Sequence, residues 1–166
     1  MKSLLSSVVC AFTFLGAAIL VAAQNRVTST AGMVIQPEEG ESLDLCGIPE
    51  LSVNIKIDPA SIGSPFSMGT GKVTGFPGDP AAHEEFDEVI FIHSGSGSVT
   101  VGTETFPASP GMTLYIPRGT DHRFVSSEET PLEFVWILSP PGYEESLRQA
   151  NSESASKCDS ASRGEQ

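Results

Sequence analysis

Positive charge is scarce in this 166-residue chain: Lys and Arg number 9 against 21 Asp and Glu, for a formal net charge of -12. Such a surface repels polyanions, which excludes nucleic acid as a partner. Charged residues of both signs reach only 18% and aromatic residues 7%, whereas Gly (16) and Pro (12) are plentiful. That composition is globular and turn-rich, and it argues against coiled coils and helical bundles. Beyond the N-terminal segment, no apolar stretch is long enough to cross a bilayer. The chain also lacks a phosphate-binding loop, a Cys-x-x-Cys pair and a Ser-His-Asp order. Gly95-Ser96-Gly97, between two β-rich runs, reads as a hairpin connection and not as a nucleotide fingerprint.

Cysteine is nearly absent too, with three in the chain. Cys10 falls within residues 1–23, which read as a secretory signal peptide: Lys2 supplies a positive start, Leu4 to Val21 an apolar run, and Val21-Ala22-Ala23 small residues before a cut at Ala23/Gln24. The expected location is therefore secreted or periplasmic, and loss of Lys2 with the leader makes the exported chain more acidic still. Ser-Val-Val-Cys around Cys10 lacks the small residue expected before a lipidated cysteine. In an oxidising compartment the remaining Cys46 and Cys158 form either a disulfide or a buried Cys46 and a free Cys158 in the tail.

What is present is β patterning. Residues 24–49 are polar and turn-forming and read as an N-terminal arm. From there, short runs rich in β-branched and apolar residues follow one another: Leu51 to Ile57, Met68 to Val73, Glu88 to His93, Ser98 to Val101, Met112 to Ile116, His122 to Val125 and Glu133 to Leu138. No helical segment is expected between them, and the short connections call for antiparallel pairing in a sandwich or barrel. In Glu88 to His93, Glu88, Ile90 and Ile92 share one face and Val89, Phe91 and His93 the other, so both faces are expected to be covered. Phe134 to Leu138 is likewise apolar on both faces, which suits a strand at a subunit interface and leads to the expectation of a homodimer. Ser139-Pro140-Pro141-Gly142 breaks the pattern. A short helix is expected over 143–150, and a disordered tail over 149–166.

The chain has three histidines, and two of them, His83 and His122, stand beside carboxylates in turn-rich segments. Imidazole and carboxylate together suit a divalent transition metal such as Fe, Mn, Ni, Cu or Zn, and a barrel lumen is where neighbouring strands converge on such an ion. His122 follows the turn Pro117-Arg118-Gly119 and points to the same side as Phe124. Glu88 lies on an apolar strand face, where an unpaired carboxylate is costly. Arg118 and Asp121 read as turn and surface residues, and His93 lies on the face opposite Glu88.

These residues resemble the cupin superfamily. Gly111, Pro117, Gly119 and His122 meet that family's second motif in full. Its first motif is met in part: Glu88 and Gly95 have the right separation, but the two-histidine pair is missing. With four residues before the glutamate, His83 occupies the second histidine position and Ala81 the first; with three, the positions fall on Glu84 and Ala82. The resemblance covers residues 50–148 and includes the turn at Gly78. It implies an all-β, antiparallel double-sheet jelly-roll barrel with a short C-terminal helix. It also implies one divalent metal on His83, Glu88 and His122, with Glu85 or Glu84 as a further ligand, and a small organic molecule as substrate or ligand. An eroded first motif equally suits a barrel that binds a ligand without metal, or one that serves only as a dimerisation unit.

The exported protein is expected to begin at Gln24. Intact-mass measurement checks this, and retention of residues 1–23 in the exported chain contradicts it.

Overall fold

The computed structural model describes residues 28–29, 32–45, 50–76, 78–127 and 129–163, with side chains of the last helix described as far as residue 153. The signal segment and Cys46 lie outside the described residues, so the disulfide expectation does too. The chain divides into two units at Val34. In the first, β1 (Thr28–Ser29) and β2 (Gly32–Met33) pair antiparallel, Thr28 opposite Met33.

The second unit, from Ile35 onward, is a two-sheet antiparallel barrel. Its strands are β3 (Glu41–Asp44), β4 (Leu51–Ile57), β5 (Ser67–Val73), β6 (Asp87–Ser94), β7 (Gly97–Val101), β8 (Glu104–Ala108), β9 (Thr113–Ile116), β10 (His122–Ser126) and β11 (Leu132–Ser139). Six form a sheet in the order β3-β4-β5-β11-β6-β9, and three form the facing sheet, β10-β7-β8. Alternation along each strand places the core between them. Ile90, Ile92, Leu132, Phe134, Trp136 and Leu138 are buried on the inner face of the large sheet, and Val99, Phe124 and Ala108 on that of the small one. Phe124 stacks on Phe134 with centroids 5.1 Å apart, joining the two sheets across the core.

Two glycines make room for the largest of these side chains. On β5, Gly69 and Gly71 face inward beneath Trp136 and Phe134. A Cβ at Gly69 would lie 2.3 Å from the Trp136 ring and 2.3 Å from the Asn54 carbonyl oxygen, and one at Gly71 would lie 2.6 Å from the Phe134 ring. The aromatic rings therefore occupy the volume that β5 leaves empty.

Five expectations are corrected. Residues 41–44, assigned to the arm, form an edge strand of the large sheet; Leu43 is buried in the core while Glu41 and Ser42 are exposed, so a polar segment suffices there. The strand β8 escaped recognition because it carries Pro107, which an edge strand tolerates since one side of its backbone has no ladder partner. One helical turn, α1 (Pro59–Ile62), does interrupt the strands: Asp58 accepts from the Ala60 N–H at 2.8 Å, Pro59 opens the turn, and Gly63 closes it at φ 67°. The outer faces are only partly covered, with Phe91 43% and Tyr115 63% exposed.

Last, the helix α2 spans Tyr143–Arg163, so the segment expected to be disordered is helical to Arg163. No Gly or Pro interrupts it, and its first turns are nucleated by tertiary contacts from which the rest propagates. Leu147 is buried in the core, and Glu144 accepts from the Ser67 hydroxyl and, at 3.0 Å, from the Gly142 N–H. Arg148 ties the helix to the body through Glu41 at 2.7 Å and Asp58 at 2.6 Å. Further along, the Gln149 side-chain amide donates to Glu153 at 2.9 Å, one turn on.

Gly69→Ala is expected to destabilise the fold by about 1–3 kcal/mol, because both obstructing groups are held in the core. Thermal unfolding checks this; an unchanged melting temperature contradicts the packing account.

Candidate metal centre

Two strands and one loop deliver the site. Glu88 enters from the inner face of β6, one residue after Asp87, which grips the neighbouring turn: Arg118 pairs with Asp87 at 2.9 Å, and the Arg118 N–H donates to Asp87 at 3.1 Å. That hydrogen-bonded guanidinium holds the Asp87 carboxyl below the usual carboxylate range. His122 opens β10 immediately after the Pro117-Arg118-Gly119 turn, where Gly119 takes φ 72°, a conformation natural to glycine. The loop before β6 is pinned to β10 by a reciprocal backbone pair, Ala81 N–H to His122 O at 2.9 Å and His122 N–H to Ala81 O at 2.8 Å. The Gly119 N–H then donates to the His83 carbonyl at 2.9 Å, so the turn that aims His122 also holds His83.

The result is a compact cluster: one ligating atom each from His83, Glu88 and His122 lie within 4.8 Å of one another. Glu88 Oε2 is 3.3 Å from His122 Nε2 and 3.7 Å from His83 Nε2, and the three side chains are at most 8% exposed. His122 Nδ1 lies 3.2 Å from the Thr120 carbonyl oxygen, to which it donates, so its proton sits on Nδ1 and the Nε2 lone pair faces Glu88. Two acceptors therefore confront each other out of water, and Glu88 Oε2 has no hydrogen-bond partner. Burial, reinforced by the His122 charge, pushes the His83 imidazole down to about 4. Burial likewise lowers His122 and raises the Glu88 carboxyl to about 7. Two neutral imidazoles and an orphaned carboxylate oxygen are the donor set that a divalent transition metal takes, and the residues present fit such an ion.

The cavity that opens from this cluster has a volume of about 260 Å³. Its walls are largely apolar, with Val53, Val73, Phe134, Trp136 and Leu138 from the large sheet, and Tyr143 and Leu147 closing one side from α2. Tyr143 packs on His83 with centroids 4.2 Å apart, and Phe86 packs on Tyr143 at 5.9 Å. Burial, with a smaller contribution from the Glu88 charge, pushes the Tyr143 phenol up to about 12, so it stays protonated.

His83, Glu88 and His122 thus come together, the set that the resemblance implied. Glu85 and Glu84 do not join them, and both are exposed; His93 is exposed on the outer face of β6. Sequence reasoning missed Tyr143, Trp136 and Arg123 as cavity residues. Tyr143 follows a Pro-Pro-Gly breaker, a position that signals where the helix starts but not what it covers.

Comparisons with known proteins agree with this architecture. Residues 68–138 match the cupin domain family model. An uncharacterized protein of Streptomyces coelicolor is 40% identical over 55 residues, which are 33% of this chain and 51% of that protein. This chain spans about half the length of the curated relatives it matches. Among solved structures, KdgF from a Halomonas species superposes with a TM-score of 0.58 at 22% identity, covering 69% of this chain and 98% of that one. The polyketide cyclase RemF from Streptomyces resistomycificus superposes with a TM-score of 0.56 at 21% identity, covering 64% and 78%. At such identities the likeness establishes the fold.

Glu88→Gln removes the orphaned carboxylate and supplies an N–H that can face His122 Nε2. With chelator present, this variant is expected to melt above the wild type by an amount on the order of 1 kcal/mol. With zinc present, the order is expected to reverse. Paired melting curves decide, and a variant less stable than wild type in chelator contradicts the account of Glu88.

Proposed function

We propose that this chain, whose residues 68–138 form a cupin domain, is an exported protein that holds one divalent transition metal on His83, Glu88 and His122 and acts on a small organic molecule bound in the barrel. The observation that carries the reading is the orphaned Glu88 Oε2, buried between two imidazole nitrogens. When bound, a metal on two imidazoles and a carboxylate supplies Lewis-acid polarisation, or an activated oxygen ligand, at positions left open. The chain's own residues do the rest. His122 is held in one tautomer by Thr120, His83 is braced by the Tyr143 ring, and the apolar walls keep water from the reacting groups. Small-molecule chemistry of the oxygenase, cyclase, lyase or isomerase kind suits such a site.

A second reading, a cupin barrel that binds its ligand without metal, is favoured by one feature. Ala81 stands where the first-motif histidine is expected, so the donor set is one short. The expected homodimer would draw on the apolar outer face of the large sheet, where Val89, Phe91 and Tyr115 on neighbouring strands lie beside Val135 and Ile137. No helix among the described residues is long and apolar enough to cross a membrane.

The test is metal content. Protein prepared without chelator, or titrated with Zn, Mn or Fe, is expected to hold one ion per chain, with melting raised by about 2.7 kcal/mol at a hundredfold excess over Kd. His122→Ala, Glu88→Gln and His83→Ala are each expected to lose the ion, and Glu84→Ala and Glu85→Ala to keep it. Failure to take up any of these ions leaves the metal-free reading.

A further inference from the structure

Arg123 follows His122 on β10 and lines the same cavity. Its guanidinium carbon lies 5.1 Å from the centre of the Phe76 ring, while its Nε is buried with no hydrogen-bond partner. The other cations with described contacts are engaged. Arg118 pairs with Asp87, Lys72 with Glu133, and Arg148 with Glu41, Asp58 and Glu145; Lys56 donates to the Pro37 and Glu39 carbonyls. Asp79 also lines the cavity, but it is exposed and forms no ion pair with Arg123 among the described residues. In a chain with 21 acidic and 9 basic residues, a cation without an acidic partner beside a cavity is a local exception to the field of the whole protein. A planar guanidinium is matched to a carboxylate through its terminal N–H groups.

The wall beyond it imposes a second condition. Val53, Val73, Phe134 and Leu138 offer no side-chain donor or acceptor, and the Trp136 N–H is already given to the Thr70 carbonyl at 3.3 Å. Hydroxyl groups pressed against that wall would lose water without replacement. A polyol or sugar acid is thereby disfavoured, whereas an alicyclic or aromatic body is not. A cavity of about 260 Å³ suits a body of one or two rings.

We propose that the ligand is a small organic acid with an apolar body, the body lying against the Val53, Val73, Phe134, Trp136 and Leu138 wall and its carboxylate on Arg123. The assignment rests on the cavity being the ligand site proposed above, and it holds whether or not a metal is bound.

Trp136, the single tryptophan of the chain, lines the cavity and supplies the readout. Its fluorescence is followed during titration with cyclohexanecarboxylate, cyclohexanecarboxamide and gluconate, in zinc and again in chelator. The acid is expected to bind about tenfold more tightly than the amide in both conditions, and gluconate not to bind. Arg123→Met is expected to bring the acid down to the affinity of the amide and leave the amide unchanged, while Arg123→Lys recovers part of the preference. Circular dichroism confirms that each variant is folded.

A preference for the acid that survives in Arg123→Met places the carboxylate elsewhere and overturns the assignment. Equal binding of acid and amide by the wild type, tighter binding of gluconate, or no response to either ring compound overturns it too. The metal reading fails on a separate measurement, ion stoichiometry, so loss of one is distinguishable from loss of the other.

Discussion

At the centre of the barrel, a carboxylate oxygen with no hydrogen-bond partner lies 3.3 Å from an imidazole nitrogen whose lone pair faces it. Such a contact persists only where the surrounding structure leaves neither group room to turn away. Glu88 is held by a strand paired on both sides, with β11 and β9, and by the grip of Asp87 on the Arg118 turn. His122 is held by its bond to Thr120 and by the backbone pair with Ala81, which also brings His83 within reach. The folded barrel holds an unmet demand for a proton or a cation at this point.

The closure of the site comes from elements with no ligand of their own. Helix α2 is fastened by the Arg148 ion pairs, by Glu144 beside Ser67 and by Leu147 in the core, and it presents Tyr143 to His83. Acidic residues that give the chain its net charge thereby serve a structural purpose, because Glu41 and Asp58 anchor Arg148, which reaches across from the helix. The opposite wall is shaped by small residues. Gly69 and Gly71 allow Trp136 and Phe134 to lie flat against β5, which leaves a smooth apolar surface next to a polar cluster.

Much of the architecture was legible in order. Seven strand runs and the inward set Glu88, Ile90 and Ile92 follow from period-2 alternation, since alternate side chains must face opposite sides of a sheet. Elements at the edges escaped for a physical reason. A strand such as Glu41–Asp44 or Glu104–Ala108 has one neighbour and one largely solvated face, so it needs neither a continuous apolar pattern nor a donor at every residue. The helical tail escaped because its Ser-rich composition is poor in apolar residues, and its stability derives from the first turns docked on the body.

The amino-acid sequence by itself determined the β class and the strand alternation, because these depend on local spacing and turn chemistry, and its resemblance to the cupin superfamily implied the ligand candidates His83, Glu88 and His122. Tertiary structure alone decided that His83 meets Glu88 and His122 without Glu85 as a further member, that Tyr143 covers them, and that Arg123 is left without an acidic partner beside the cavity. Those outcomes depend on which segments meet across the barrel. Local propensity carries no record of contacts between residues tens of positions apart.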